Sequence, residues 1–79
     1  MGKYIGDCGH GGTDPGASAN GLIEKDLNLE QGLYTQKRLK ELGVDFALTR
    51  TSDKTLTQKQ RTDTVKQYDV CLSFHFNAG

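Results

Sequence analysis

The sequence is organised around residues 7–17, which read DCGHGGTDPGA. A short apolar run precedes them, so the pattern predicts a first strand at residues 3–8 that breaks into a glycine-rich loop at residues 9–21. His10 lies where that strand ends. A histidine in such a place is held firmly and can face an open cleft, which suits a metal ligand or a general base. The alternative interpretation is a plain turn with a half-exposed histidine.

Residues 22–42 are predicted to form the first helix. Apolar residues recur there at helical spacing and form a broad face, as expected for a helix that lies on a sheet. Asn20 and Gly21 offer capping residues before it, and Gly43 is well placed to end it in the left-handed conformation. The apolar rows consist of Leu22, Leu29 and Leu33, of Ile23, Leu27 and Tyr34, and of Leu39 with Leu42.

The rest of the chain completes an alternating order of elements. Residues 44–50 and 68–76 are predicted strands, and the second of these is rich in aromatic and β-branched residues. Between them, Thr57 followed by Gln60 has the pattern of a capping box and predicts a second helix at residues 57–67. Strand, helix, strand, helix, strand predicts an α/β fold of the three-layer αβα type with a parallel-rich sheet, here as a partial β-α-β-α-β unit.

Length and composition exclude several classes of protein. The 79 residues allow one domain with a thin core, because a chain of this size buries only about 60–65% of its surface. Ten basic residues balance ten acidic ones without a basic block, so neither nucleic acid nor a membrane is an expected partner. No apolar run approaches the roughly 20 residues of a membrane span. Cys8 and Cys71 fall in predicted strands, which in a reducing compartment indicates two buried free thiols.

His10 and His75 are the only histidines, and each falls at the end of a predicted strand. In a parallel sheet both would lie at the carboxyl edge, where open α/β sheets place their sites. Glu24 begins the first helix at that same edge, so the three side chains can converge. Two histidines and one carboxylate with a position left open form a catalytic zinc arrangement, and the same ligands would in principle suit non-haem iron. Taken singly, each residue also has a structural interpretation, such as a glutamate that complements the helix dipole.

Further motifs accompany the first stretch, and together they span the chain in order. They are DCGHGGTDPGA at residues 7–17, GLIEKDL at 21–27, LTR at 48–50 and SFHFNA at 73–78. This set resembles the zinc-dependent N-acetylmuramoyl-L-alanine amidases of cell-wall hydrolases, autolysins and phage endolysins. The resemblance assigns Zn²⁺ to His10, Glu24 and His75. It implies hydrolysis, by zinc-activated water, of the amide between the lactyl group of N-acetylmuramic acid and L-alanine of the peptidoglycan stem peptide.

Four further polar residues are candidates for additional parts of the site. Asp7 is a candidate to orient a ligating imidazole, and Asn77 is a candidate to contact substrate or to brace the third strand. A structural role in the turn is the alternative for both. Arg50 and Arg61 could pair with loop carboxylates or be solvated, and the second is expected because most surface ion pairs contribute little. A Cys/His metal cluster that includes Cys8 is disfavoured, since ordinary strand burial explains the thiols.

The resemblance makes residues 1–79 the N-terminal part of a zinc amidase catalytic domain. The family domain is expected to continue past the His75 strand and to supply a glutamate as general base and acid, which no residue here matches. Glu30 and Glu41 lie on the first predicted helix, away from the open metal position. An uncovered third strand predicts a homodimer or a domain swap, or else a marginally stable and zinc-dependent chain.

Two other functions remain open at this stage. One is a non-catalytic zinc-binding or wall-binding fragment that lacks the general base. The other is a metal-free α/β module whose glycine loop binds an anion at the N-terminus of the first helix. Met1 directly precedes the first strand without a signal peptide. We therefore expect synthesis in the cytoplasm and action at the bacterial cell wall after phage or host lysis, as in a phage endolysin or a mother-cell enzyme.

Overall fold

The computed structural model describes residues 3–75. Its central element is a parallel sheet in which β1 (Tyr4–Cys8) lies between β4 (Phe46–Leu48) and β5 (Val70–Phe74). Tyr4 aligns with Phe46 on one side and with Val70 on the other. All three strands therefore end at one edge of the sheet. The predicted α/β order with a parallel sheet is confirmed.

Two helices lie on opposite faces of this sheet. α1 (Glu24–Glu41) covers the face of Cys8, and Gly32 packs there so closely that a Cβ added to it would lie 2.5 Å from the Cys8 sulfur. α2 (Gln58–Val65) lies on the face of Asp7, whose carboxylate it reaches through a side chain. Neighbouring residues of a strand point to opposite faces, so the helices and the sheet form three layers. Within residues 3–75, neither helix has the length and apolar character needed to span a membrane.

The apolar core is small. Ile5, Cys8 and Phe46 are its buried side chains among the described residues, and the Phe46 ring meets Phe74 edge to face with 6.5 Å between centroids. The prediction of two buried thiols is right for Cys8 and wrong for Cys71, which is exposed. The difference arises because Cys8 lies on the central strand beneath α1, whereas Cys71 lies on an edge strand.

The leucine rows do not form the buried face of α1. Its buried residues are Glu24, Asn28 and Gly32, while Leu33 and Tyr34 are 39% and 60% exposed. Residues four apart share one helix face. The buried face therefore carries polar side chains where it meets the carboxyl edge of the sheet, and a glycine without a side chain where it meets Cys8. The prediction that the leucine rows form the buried face was wrong. Which face of a helix is buried depends on the strands and loops that pack against it, and helical spacing alone does not show these. Three leucines that flank the buried face are half-buried, namely Leu27, Leu29 and Leu39.

α1 begins two residues later than predicted because a hairpin precedes it. β2 (Ser18–Ala19) pairs antiparallel with β3 (Leu22–Ile23), and Asn20 and Gly21 form the turn with φ values of 53° and 81°. Asn-Gly with two positive φ values is the favoured sequence of a type I′ hairpin turn, so these residues close a hairpin instead of capping a helix. Loop carbonyls cap the first N–H groups of α1: Ala17 accepts from Glu24, and Pro15 accepts from Lys25.

The end of α1 and the start of α2 follow the predictions, whereas α2 ends at Val65, two residues before the predicted end. Gly43 follows α1 with φ at 81°. Thr57 caps α2, since its hydroxyl accepts from the Gln60 N–H at 3.1 Å and the Gln60 side chain accepts from the Thr57 N–H at 2.8 Å. This reciprocal pair is the predicted capping box.

β5 is one of the two edge strands of the described sheet, and its exposed residues include Val70 and Leu72. It is shorter at both ends than residues 68–76, and Phe76 lies outside the described residues. An edge strand has one row of unpaired peptide groups. Association through this edge, as a homodimer or a domain swap, stays a prediction.

The loop after β4 is joined to the glycine loop by hydrogen bonds. Asp53 accepts from the Gly12 N–H at 2.7 Å and from the Lys25 ammonium at 2.8 Å. Thr55 accepts from the Thr13 N–H at 2.9 Å. The hydrogen bond from Lys25, followed by that from Gly12, lowers the pKa of the Asp53 carboxyl. Asp53 thereby joins the glycine loop to the first turn of α1.

Replacing Asp53 with Asn tests this link through its pH dependence. The folded chain holds the Asp53 pKa below its ordinary value, so the carboxylate stabilises the fold above the unfolded-state pKa of about 3.9 and loses this effect as the pH falls through the folded value. We expect Asp53→Asn to lower Tm at about pH 7, with the difference from wild type shrinking as the pH falls from about 5 to about 3. Thermal melts by circular dichroism measure this, with the exposed Asp45→Asn as control. A difference that is independent of pH would contradict the link.

The two thiols report on the fold through their accessibility. We expect a maleimide to modify Cys71 and to leave Cys8 unmodified until the chain unfolds, because Cys8 is covered by Gly32 of α1. Mass spectrometry of a digest, with and without denaturant, identifies the labelled residue. The Cys71→Ser variant should then take up no label in the folded state. Equal labelling of both thiols in the native chain would show that α1 does not cover the sheet.

Candidate metal centre

His10, Glu24 and His75 come together at the carboxyl edge of the sheet. His10 lies two residues beyond β1, Glu24 is the first residue of α1, and His75 directly follows β5. One ligand atom from each lies within 4.8 Å of the other two. The imidazole rings of His10 and His75 pack edge to face with 5.4 Å between centroids. Among residues 3–75 this is the group of acidic, histidine and cysteine side chains with the spacing of a metal site.

Glu24 is buried and bridges the two imidazoles. One carboxylate oxygen, Oε1, is 3.3 Å from Nε2 of His10, and the other, Oε2, is 3.3 Å from Nδ1 of His75. The Ala17 N–H donates to Oε1 at 3.1 Å, and the Asn28 amide nitrogen lies 3.5 Å from Oε2. A buried carboxylate is costly without such partners. The carboxylate therefore holds the three residues in one cluster.

The donor set and its spacing fit a small divalent cation. Zinc binds imidazole nitrogen and carboxylate oxygen at about 2.0–2.2 Å in a tetrahedron, which places neighbouring ligand atoms about 3.4 Å apart. Each of the two nitrogen–oxygen separations at Glu24 is 3.3 Å, which is close to that edge length, and each involves a different oxygen of the carboxylate. They are longer than the usual N–H···O hydrogen bond. Three protein ligands would leave one coordination position open.

Two glycines leave room for this cluster. A Cβ added at Gly16 would lie 2.6 Å from Cδ2 of His10 and 2.8 Å from Oε1 of Glu24. One added at Gly9 would collide with the ring of His75. Gly16 also has φ at 69°, in the left-handed region that side chains disfavour. The glycine loop thus approaches the three side chains at a distance that other residues would not allow.

Asp14 is the carboxylate that holds the His10 ring. Its Oδ2 lies 2.9 Å from Nδ1 of His10, and its Oδ1 accepts from the Gly16 N–H at 3.2 Å. The hydrogen bond to His10, followed by that from Gly16, lowers the pKa of the Asp14 carboxyl. Because Nδ1 faces Asp14, Nε2 faces Glu24. A carboxylate behind an imidazole is a common way to orient a metal-binding histidine.

Asp7, which the sequence suggested for this role, lies elsewhere. Its carboxylate accepts from the Thr49 hydroxyl at 3.0 Å and from the Arg61 guanidinium. The prediction that Asp7 orients an imidazole was wrong, because strand alternation turns Asp7 toward the α2 face while the cluster lies where α1 begins. Asn77, the other candidate, lies outside the described residues.

Arg50 and Arg61 are built into the end of β1, which corrects the prediction that they are solvated. Arg50 is 2% exposed, and Arg61 pairs with Asp7. Both donate to the carbonyls of Cys8 and His10. Burial lowers the pKa of the Arg50 guanidinium. These contacts join residues about 40 to 50 positions apart in the chain, so no local pattern could have indicated them.

Asn28 is a further polar residue that sequence reasoning missed. It is fully buried and donates to the Gly9 carbonyl at 3.0 Å. Its carbonyl oxygen has no hydrogen-bond partner within the described part of the chain. The available signal was its position four residues after Glu24, which places both side chains on one helix face. Asp14 carried no such signal, because loops have no periodicity.

Comparisons with known proteins identify the family of the chain. Residues 6–79 match the family model described as N-acetylmuramoyl-L-alanine amidase. The chain is 46% identical to the N-acetylmuramoyl-L-alanine amidase CwlM of Bacillus licheniformis, covering 100% of this chain and 33% of that protein. It is 42% identical to the sporulation-specific N-acetylmuramoyl-L-alanine amidase of Bacillus subtilis (strain 168), covering 100% of this chain and 32% of that protein.

A solved structure gives the same result for the fold. The catalytic domain of CwlV, an N-acetylmuramoyl-L-alanine amidase from Bacillus (Paenibacillus) polymyxa var. colistinus, superposes with a TM-score of 0.89 at 33% identity. The match covers 98% of this chain and 46% of that domain. The chain thus spans about a third of the length of the two curated relatives and about half of the solved catalytic domain. The match of residues 6–79 to the family model and the shared fold show that the chain belongs to the N-acetylmuramoyl-L-alanine amidase family.

Proposed function

We propose that this chain forms the metal-binding part of a zinc-dependent peptidoglycan hydrolase. The bond cleaved is the amide between N-acetylmuramic acid and L-alanine of the stem peptide, and the place of action is the bacterial cell wall. His10, Glu24 and His75 hold the Zn²⁺. The observation that carries the proposal is their convergence, with both imidazoles 3.3 Å from the buried Glu24 carboxylate. Family membership supports the reaction.

Each residue of the cluster has a distinct task in this proposal. Zinc held there would polarise the scissile carbonyl and make water a competent nucleophile near neutral pH. Glu24 offsets part of the charge of the ion, and its burial strengthens that interaction. Asp14 accepts from Nδ1 of His10 and so directs Nε2 to the site. The His75 side chain is 49% exposed, which leaves a solvent-facing side from which a glycopeptide can approach.

General acid–base assistance is the part of the reaction with no assigned residue in the described chain. Asp14 is bonded to His10 and Gly16, and Glu30 and Glu41 are exposed on α1. A positioned acid or base contributes about 10²–10⁴-fold to such reactions. This observation favours a second candidate function, in which these 79 residues bind zinc, or zinc and the wall, without appreciable hydrolysis.

Metal analysis tests the shared part of both candidates. We expect the purified chain to hold one zinc per chain and Glu24→Gln or His75→Ala to hold much less, since each removes one of three ligands. The matched control is Glu30→Gln, which makes the same change at an exposed position of α1. Zinc content that is substoichiometric in wild type and unchanged in His75→Ala would instead favour the metal-free, anion-binding module.

Digestion of purified cell wall separates the two candidates. A hydrolase releases stem peptide with a free L-alanine amino group from muramic acid, and chelation abolishes that release. A zinc-binding chain without hydrolysis gives full metal content and no release. The measurement is mass spectrometry of the soluble products, with His75→Ala as the inactive control.

Gly16 provides a test of the space around the cluster. An alanine at Gly16 pays the cost of the left-handed conformation, about 1–2 kcal/mol, and also crowds His10 and Glu24. Gly43→Ala is the matched control, because Gly43 has φ at 81° with nothing within 4 Å of an added Cβ. We expect both variants to lose Tm, Gly16→Ala more than Gly43→Ala because of the crowding, with zinc affinity reduced at least about tenfold in Gly16→Ala only. Equal zinc affinity in the two variants would contradict the crowding.

A further inference from the structure

Where β1 ends, three successive carbonyls turn toward two arginines. Arg50 Nε lies 3.1 Å from the Cys8 oxygen and 2.9 Å from the His10 oxygen, and its Nη2 donates to the Gly9 oxygen at 3.0 Å. Arg61 donates through Nη1 to Cys8 at 2.8 Å and through Nη2 to His10. The backbone that carries His10 is therefore bonded by guanidinium groups at every carbonyl from residue 8 to residue 10.

Arg50 also binds the element that carries the second member of the cluster. Its Nη2 donates to the carbonyl of Lys25 at 2.8 Å, one residue after Glu24, and its Nη1 donates to Ser52 at 3.0 Å. The side chain is 2% exposed. A planar fork of five N–H donors can serve several carbonyls at once, whereas a lysine ammonium cannot reproduce that geometry. One guanidinium thus joins the end of β1 to the first turn of α1.

His10 needs such support because its backbone is in an uncommon conformation. Its φ is 62°, in the left-handed region. A non-glycine residue is strained in this region and persists there where the surrounding structure determines its conformation. The carbonyl of His10 is held by both arginines and its ring by Asp14. At His10 the chain leaves the sheet, and this left-handed turn places the imidazole next to Glu24.

We propose that Arg50 and Arg61 are positioning residues of the metal centre, which set the backbone at His10 so that its imidazole meets Glu24 and His75. This rests on the proposed function, because it assumes that the cluster binds metal. Both arginines act through the backbone of His10 and not through contact with the ion or the substrate. Their charge alone does not suffice, since the role depends on the forked geometry.

The test compares Arg50→Lys and Arg61→Lys with Arg38→Lys in the full 79-residue chain. Arg38 is exposed on α1 and pairs with Glu41, so it controls for the loss of a guanidinium. Zinc affinity is measured by competition with a chromogenic chelator, and the visible spectrum of the Co²⁺-loaded chain reports coordination geometry. Melts with and without zinc give the zinc-induced rise in Tm. This rise separates metal binding from general stability, because a ligand that binds the folded state raises Tm according to its affinity.

We expect each lysine variant at the end of β1 to bind zinc at least about tenfold more weakly, by analogy with other groups that orient metal ligands. The Co²⁺ bands should shift and the zinc-induced rise in Tm should shrink, while Arg38→Lys behaves as wild type. A merely structural role would lower Tm without zinc and leave the metal affinity and the Co²⁺ spectrum of the folded variants unchanged. That result would overturn the inference.

The two proposals fail in different ways. Wild type that binds no metal contradicts the proposed function and this inference with it. Wild type that binds zinc, with Arg50→Lys and Arg61→Lys binding it as tightly, overturns the inference alone. If Arg50→Lys shows no folding transition, Arg61→Lys is judged by the same spectrum and Tm criteria. The Arg61 side chain is 11% exposed and lies outside the fully buried core, so we expect the chain to tolerate this change better.

Discussion

The structure depends on one buried carboxylate. Glu24 lies at the first position of α1, and its oxygens face His10 and His75 from the ends of two strands. Burying a carboxylate is unfavourable unless donors surround it. Three parts of the fold must therefore meet at one point: the carboxyl edge of the sheet, the start of α1 and the glycine loop. A shift of α1 along the sheet would move the Glu24 carboxylate away from these donors.

Buried polar contacts stabilise this fold where a larger domain would rely on its apolar core. Three apolar side chains are buried among the described residues, yet Arg50 and Asn28 are buried as fully. Their donors satisfy carbonyls that leave the sheet at the end of β1. The Arg50 guanidinium donates from all three of its nitrogens, and a buried polar group bonded in this way favours one arrangement of its neighbours. A short chain can thereby present a defined cluster at the sheet edge.

Parts of the fold were predictable because the signals were local. The capping box at Thr57 and Gln60 needs only four consecutive residues, and the end of α1 at Gly43 needs one residue with positive φ. Asn20-Gly21 carries an equally local hairpin signal, but the same two residues also suit a helix cap, so the pair alone does not distinguish the two. The buried face of α1 was not predictable from its leucines, because Gly32 and Asn28 are covered by partners that come from distant parts of the chain.

The sequence by itself determined the order of the three sheet strands and the two helices, and it placed two histidines at strand ends and a glutamate near a helix start. Periodicity and turn chemistry act over a few residues, so they can be read without coordinates. Only the tertiary structure decided that Asp14 and not Asp7 holds His10, and that Arg50 and Arg61 are bound to the backbone at the end of β1. Strand alternation and the packing of α1 and α2 on opposite faces select those partners, and these are properties of the assembled sheet.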